Sequence, residues 1–206
     1  MNDTIKETMQ RTYRYLYDDG LMEIAAGLLL LASALLFLIW HYLQAQPWLS
    51  ALFATGLLVV VLGGALYLRS AVAGVKERVT YPRTGYVAYR EETDPAGARW
   101  LLLLATGGTA IVLLFLPATF SQMIVAEGIV TAVMLALLGR RLALTRFYLL
   151  ALLALLLSGI IAGWQRSDLL GSALFLGLTG LLLAASGLLA LRRYLQQHPR
   201  PDEAYA

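Results

Sequence analysis

Residues 169–193 read LLGSALFLGLTGLLLAASGLLALRR, an apolar stretch of 23 residues that ends in two arginines. An α-helix needs about 20 apolar residues to cross the hydrocarbon core of a membrane. Loops that stay in the cytoplasm keep their Lys and Arg residues, whereas translocated loops are poor in them. The stretch therefore predicts a transmembrane helix over 169–191 whose carboxyl end faces the cytoplasm.

Five further stretches of similar length and composition occur in this chain of 206 residues. Hydrophobic residues make up 59% of the chain and charged residues only 14%, against about 25% charged residues in a soluble domain. We therefore predict an all-α fold, a polytopic membrane bundle of six transmembrane helices. The other five helices are predicted over 21–41, 48–68, 100–120, 122–138 and 142–164.

The Lys and Arg residues fall in alternate gaps between these stretches. Fifteen of the sixteen lie in the N-terminal tail, the central loop, the segment 140–146 and the C-terminal tail, and Arg166 is the exception. This distribution predicts a bacterial-type cytoplasmic (inner) membrane protein with both termini in the cytoplasm. The four Trp residues agree, because each lies at the end of a predicted span, where its ring favours the headgroup level.

The polar segments divide the chain further. Residues 1–20 predict an amphipathic helix at the membrane interface, because apolar side chains recur there at helical spacing opposite basic ones. The same pattern suits a helix that docks on a partner protein. The remaining segments are predicted, in chain order, as a first transmembrane hairpin, a cytoplasmic loop, four further transmembrane helices and a cytoplasmic tail: 21–69, 70–99, 100–191 and 192–206.

The cytoplasmic loop contains the sequence Tyr81-Pro-Arg-Thr-Gly-Tyr-Val-Ala-Tyr-Arg90. Alternating residues on either side of a Pro–Gly turn predict a short β-hairpin. Its Tyr and Arg side chains suit anionic lipid headgroups or the surface of a partner protein. A structural cap over the bundle and the binding of a small ligand are the alternatives. The candidate lipid- or partner-binding residues are Tyr81, Arg83, Tyr86, Tyr89 and Arg90.

Two short blocks carry a resemblance to known proteins. The block from Tyr81 to Val87, and more loosely the block from Tyr17 to Glu23, resembles a signature of uncharacterised bacterial membrane proteins with six spans. The resemblance covers these blocks and the layout of the spans. It implies a polytopic membrane protein and brings no assigned activity with it.

Glu127 is the one ionisable residue well inside a predicted span. It lies six residues after Ser121, and the prediction places no Lys or Arg beside it. We expect a protonated acid that hydrogen-bonds to a hydroxyl group, because an ionised carboxylate in the membrane is unfavourable without a partner. The candidate hydroxyls are those of Thr109, Thr131 and Ser158. Two interpretations stay open, a buried structural acid and an ion- or proton-coupling site.

Asp18, Asp19 and Glu23 form an acidic cluster where the first span begins. Asp19 and Glu23 share one helix face at the i, i+4 spacing, which could hold a divalent cation. We favour a structural role instead, in which these carboxylates neutralise arginines at a similar depth, and we predict no metal site. The candidate arginines are Arg69, Arg140 and Arg141.

The composition also bears on function. The chain has no cysteine, no Gly-rich phosphate loop and only two distant histidines, so we predict no enzyme activity and no cofactor. Membrane topology explains the basic residues, so no nucleic acid partner is predicted. We expect a non-catalytic accessory, scaffold or assembly component that contacts membrane lipids and a membrane protein partner, or forms a homo-oligomer. The alternative is a small-solute or cation transporter with Glu127 as its coupling site.

Overall fold

The computed structural model describes residues 17–43, 47–79, 120–164 and 167–198, with only part of the side chains in 47–79. Every regular element in these residues is an α-helix. In chain order the helices are α1 (Leu21–Leu43), α2 (Pro47–Val79), α3 (Phe120–Leu142), α4 (Thr145–Trp164) and α5 (Asp168–Gln197).

Four of these helices, α1, α3, α4 and α5, are long and apolar enough to cross a membrane. Their outward faces agree with this: the large apolar side chains of Leu149, Ile160 and Leu188 are 60%, 64% and 56% exposed. Monomeric soluble proteins rarely expose large contiguous apolar patches, whereas lipid makes them stable. By length, composition and surface, the chain is a membrane protein, as its sequence predicts.

The predicted fold of six transmembrane helices with a cytoplasmic β-hairpin is wrong. The described residues form five helices, four of them candidate membrane spans, and contain no strand. The hairpin and nearly all of the predicted third span fall in 80–119, which lies outside the described residues. Residues 1–16 of the predicted interfacial helix lie outside them as well.

Helix α2 is longer than the span predicted over 48–68. It continues past Arg69 to Val79 and so includes the first ten residues of the predicted loop. Lys and Arg are good helix formers, so a charged residue ends an apolar stretch without ending the helix. At 1.5 Å per residue, the 33 residues of α2 extend about 50 Å, farther than the ~30 Å hydrocarbon core is thick.

Helices α1 and α5 make the most extensive contact among the described helices. They run antiparallel, since Gly20 lies against Gly187 and Gly27 against Gly180. A Cβ atom added to Gly27 would come within 2.6 Å of the carbonyl oxygen of Gly180. Gly20 also adopts a left-handed backbone conformation, φ +70°, which glycine allows without strain. The glycine pairs let the two backbones approach closely, as small residues do at interfaces between transmembrane helices.

Helices α3 and α4 form a tight hairpin. Residues 143 and 144 join them, with Ala143 at φ +52°, and the Leu144 N–H donates to the carbonyl oxygen of Gly139 at 3.2 Å. Gly128 of α3 lies so close to Ser158 of α4 that no larger residue fits without a shift. The hairpin packs on α5 around buried side chains that include Ile124, Phe147, Ala154 and Phe175.

Candidate functional site

Buried charged residues collect at one end of the bundle, where α1 and α4 begin and α2, α3 and α5 finish. We call it the charged end. Four side chains there form two ion pairs, Asp19 with Lys76 and Glu23 with Arg146. Asp19 is 1% exposed and Glu23 2%. A carboxylate this deeply buried is strongly destabilising without a partner, so each of these two acids depends on its cation.

The first pair joins α2 to the beginning of α1. Asp19 lies in the turn before α1, and its Oδ2 is 2.9 Å from Nζ of Lys76, which comes from the last turn of α2. Lys76 is itself buried. The Oδ1 atom of Asp19 accepts a hydrogen bond from the N–H of Leu21 at 3.2 Å. Asp19 therefore also occupies one of the backbone donors that a helix leaves free at its start.

The second pair joins α1 to α4 and α5. Oε1 of Glu23 is 2.7 Å from Nη2 of Arg146, which lies in the first turn of α4. Oε2 of Glu23 accepts a hydrogen bond from the hydroxyl of Ser186 in α5 at 2.9 Å. The same Arg146 nitrogen donates to the carbonyl oxygen of Tyr17. Both oxygens of Glu23 are therefore bound by groups from other helices.

One aromatic ring lies beside the guanidinium group of Arg146, and a second ring packs against the first. Its guanidinium carbon lies 5.6 Å from the centroid of the Phe147 ring, within the range of a cation–π contact. Tyr17 packs edge-on against Phe147, with 6.2 Å between ring centroids. Burial raises the pKa of the Tyr17 phenol, and the negative charge of Glu23 raises it further. The Glu23 side chain is almost fully buried, and burial of this kind strengthens the electrostatic attraction within the pair.

The charged end is suited to holding helices together. Its two buried carboxylates are balanced by two cations, the buried Lys76 and the half-buried Arg146, and the four side chains come from the turn before α1 and from α1, α2 and α4. Within the described residues, no group of three or more Asp, Glu, His or Cys side chains could hold a metal ion. The two ion pairs tie the helix ends to each other.

The sequence located the acids of this cluster but not their partners. The structure pairs Asp19 and Glu23 with Lys76 and Arg146, whereas Arg140 and Arg141, two of the expected partners, are exposed. The side chain of Arg69, the third, is not among those described, and Asp18 is half-buried. The sequence did contain a clue to Lys76, which lies two helical turns beyond Arg69. Had the prediction extended α2 past Arg69, Lys76 would have been placed near the acidic cluster.

Glu127 accepts a hydrogen bond from a hydroxyl that was not among the three expected. It is half-buried in α3, and its Oε1 accepts a hydrogen bond from Ser172 of α5 at 2.8 Å. Ser158 instead donates to the carbonyl oxygen of Leu155 in its own helix, at 2.8 Å. Thr109 lies outside the described residues. The contact with Ser172 depends on how α3 packs against α5, which spacing along one helix does not reveal.

A line of hydroxyl groups on α5 connects the levels of Glu127 and Glu23. Ser172, Thr179 and Ser186 recur every seven residues on one face, and the first and last of them donate to the two acids. Successive hydroxyls are therefore about 10 Å apart along the axis. Thr179 is 2% exposed, and in the part of the chain that the structure describes its Oγ1 has no hydrogen-bond partner.

The two faces of α2 differ in what they contact. One face packs on α1: Gly64 lies against the side chain of Leu29, and Val72 is buried with Leu21 and Ala25. Among the described helices, α2 makes an extensive contact with α1 alone. Residues spaced by three or four positions follow one side of a helix, so the opposite side of α2 can be read from the sequence.

That opposite side, which we call the α2 seam, alternates large and small residues. Leu52, Val59 and Leu66 are seven residues apart and 59%, 64% and 73% exposed. Between them lie Gly56 and Gly63, where an added Cβ would meet nothing within 4 Å. The resulting spacing of four and three residues is that of a helix that packs against another in a left-handed pair.

The loop residues expected to bind lipid or a partner, namely Tyr81, Arg83, Tyr86, Tyr89 and Arg90, lie outside the described residues. Comparison of the chain with protein-family models, with curated proteins and with solved structures finds no match.

Proposed function

We propose that this protein is a non-catalytic accessory or scaffold component that binds a transmembrane helix of a partner protein. The α2 seam is the observation that supports the proposal. A helix that faces lipid needs only apolar residues, whereas a helix that receives another needs small residues at regular intervals so that the backbones can approach. Gly56 and Gly63 supply such gaps, and Leu52, Val59 and Leu66 supply the side chains that would flank a partner helix.

The charged end supports the same proposal. The ion pair between Lys76 and Asp19 holds the last turns of α2 against the start of α1. Because that contact lies on the face opposite the α2 seam, the seam is presented outward in a fixed orientation. A rigid surface loses less conformational entropy on association than a mobile one.

We also propose a bacterial-type cytoplasmic membrane as the location, with both termini in the cytoplasm. The distribution of Lys and Arg along the sequence supports this orientation. Every exposed arginine that the structure describes lies in the last turns of α2, α3 or α5: Arg78, Arg140, Arg141, Arg192 and Arg193. In the proposed orientation the charged end faces the cytoplasm.

A photo-crosslinking amino acid placed at Val59 or Leu66 in native membranes tests the partner proposal. We expect one and the same membrane protein in the adducts from both positions. Leu149 and Leu156 of α4 are exposed to a similar degree, at 60% and 54%, and serve as matched controls that should give no such adduct. Replacing Gly63 by Leu fills a gap in the seam and should abolish the adduct from Val59.

Two results would overturn the partner proposal. If the positions on α2 and α4 gave the same adducts in equal yield, the α2 seam would contact only lipid and proteins that collide with it at random. An adduct between two copies of the chain would replace the partner protein with a homo-oligomer.

Transport of a small solute or cation through Glu127 is the second candidate. It is supported by the Ser172–Glu127 hydrogen bond and by the buried Thr179 hydroxyl farther along the same face of α5. Glu127→Gln keeps the acceptor for Ser172 but cannot exchange a proton, so it should abolish Na⁺, K⁺ or H⁺ flux in proteoliposomes without loss of folding. A folded Gln variant with undiminished flux would remove this candidate.

A further inference from the structure

We infer that the charged end carries a binding site for the phosphate group of an anionic phospholipid, formed by the exposed arginines of α3 and α5. The four residues are Arg140, Arg141, Arg192 and Arg193. This inference is independent of the partner helix proposed for α2, since it concerns other helices and another kind of ligand.

The first argument is the charge left over at this end. Arg140 and Arg141 were candidates to neutralise the acidic cluster because of their similar depth, but Lys76 and Arg146 pair with its two buried carboxylates. Neither of these two ion pairs uses any of the four exposed arginines, so each of the four presents a positive charge at the surface. Exposed guanidinium groups of this kind attract anions.

The second argument is depth. The contact between Glu127 and Ser172 places these two residues at about the same level in α3 and α5. Arg140 lies 13 residues beyond Glu127, and Arg192 lies 20 residues beyond Ser172, which corresponds to about 20 and 30 Å along the helix axes. The two arginine pairs are therefore about 10 Å apart in depth. One headgroup layer is about 6 Å thick. Arginine side chains are long enough to make up the remaining separation and reach the same layer.

The third argument is chemical. The guanidinium group of arginine is always charged and offers two parallel N–H donors, which match two oxygens of a phosphate. Helix carboxyl ends carry partial negative charge and repel phosphate, so the arginine side chains must supply the attraction. A lipid phosphodiester and free inorganic phosphate share this chemistry. The depth of the four residues, spread over a headgroup layer, favours the lipid.

Binding of lipid to the purified full chain tests the inference. Phosphatidylglycerol is titrated into protein in zwitterionic detergent, and bound lipid is counted by native mass spectrometry alongside the unfolding temperature. We expect saturable binding of phosphatidylglycerol that weakens as salt rises, and none of comparable affinity for phosphatidylcholine. Inorganic phosphate at the same concentration should neither bind measurably nor displace the lipid.

Variants locate the site. Each Arg→Gln change at one of the four positions should weaken the affinity for phosphatidylglycerol about fivefold, and a double change at Arg140 and Arg141 about 25-fold. Arg78→Gln is the control: Arg78 is also exposed near a helix end, but it lies on α2, outside the proposed site on α3 and α5, so we expect less than a twofold change. Unchanged unfolding temperatures without lipid would show that the variants are folded.

Three outcomes would overturn the inference. The quadruple Gln variant could bind phosphatidylglycerol as tightly as the unmodified chain. Phosphatidylcholine could bind equally well, which would mean that the acyl chains rather than the phosphate are recognised. Inorganic phosphate could displace the lipid completely, which would assign the site to a free anion.

Discussion

Arg146 of α4 binds the region around the start of α1 at two points, through the carboxylate of Glu23 at 2.7 Å and through the carbonyl oxygen of Tyr17. One guanidinium group thus holds both the first turn of α1 and the turn that leads into it. Because Glu23 also accepts a hydrogen bond from Ser186, the three helices α1, α4 and α5 meet at a single carboxylate. The stability of the whole bundle is therefore sensitive to these side chains.

Removing one partner of the Glu23–Arg146 ion pair should lower the free energy of unfolding more than removing both partners. Arg146→Met leaves Glu23 buried and uncompensated, and we expect a loss of about 3 kcal/mol in the free energy of unfolding. The double variant Glu23→Gln/Arg146→Met should recover a large part of that loss, because no uncompensated charge remains. Reversible unfolding in mild detergent measures all members of the cycle. Equal losses for the single and double variants would contradict the structural role of the pair.

The glycine contact between α1 and α5 should tolerate no side chain. Gly27→Ala places a Cβ within 2.6 Å of the Gly180 carbonyl oxygen and 2.7 Å of the Ala184 nitrogen, so we expect a loss of about 1–3 kcal/mol from the strain of overpacking. Gly159→Ala in α4 is the matched control, because its added Cβ would meet nothing within 4 Å. Its unfolding temperature should stay the same or rise. Equal effects would mean that α1 and α5 do not meet at Gly27.

The stability of the charged end should depend on pH through Tyr17. Burial, and then the charge of Glu23, raise the pKa of its phenol above the ordinary value of about 10, so the folded chain holds this proton more tightly than the unfolded chain. The stabilisation of the folded chain by the protonated Tyr17 is complete below pH ~10. It is lost as the pH rises from there toward the raised pKa. Tyr17→Phe keeps the ring against Phe147 and removes the proton. Above pH ~10 the unfolding temperature of the unmodified protein should fall relative to that of Tyr17→Phe. Below pH ~10 the difference between the two unfolding temperatures should stay constant.

The absence of cysteine makes the proposed orientation easy to measure. Single cysteines are introduced by Tyr42→Cys, at the exposed carboxyl end of α1, and by Gln197→Cys, at the exposed carboxyl end of α5. A membrane-impermeant maleimide added to intact cells should label the first position, because it faces outward, and the second only after lysis. The reverse pattern would contradict the cytoplasmic placement of the charged end.

Hydropathy predicted α1, α3, α4 and α5 well, because each helix contains an apolar stretch long enough to cross the membrane. It failed for α2, since the charges at Arg69 and Lys76 mark the end of the apolar stretch and not the end of the helix. The β-hairpin was predicted from alternation within a short block, which is a weaker signal than the periodicity of a long helix.

The candidate site could be predicted only in part, for a related reason. Asp19 and Glu23 are conspicuous in the sequence because acids at the edge of an apolar stretch are unusual. Their partners come from α2 and α4, and no pattern within one helix tells which helix lies opposite. The same holds for Glu127, whose hydroxyl donor belongs to α5.

The contact between α1 and α5 also bears on how the chain is made. Glu23 is synthesised 163 residues before Ser186, which at about 5–20 residues per second corresponds to a delay of roughly 8–30 s. Throughout this interval α1 lacks its hydroxyl donor and the glycines of α5 that its backbone packs against. The nascent chain therefore completes its longest-range packing only when α5 emerges. A chain whose synthesis stalls before α5 would have Arg146 available to pair with Glu23 but would lack the second contact, from Ser186.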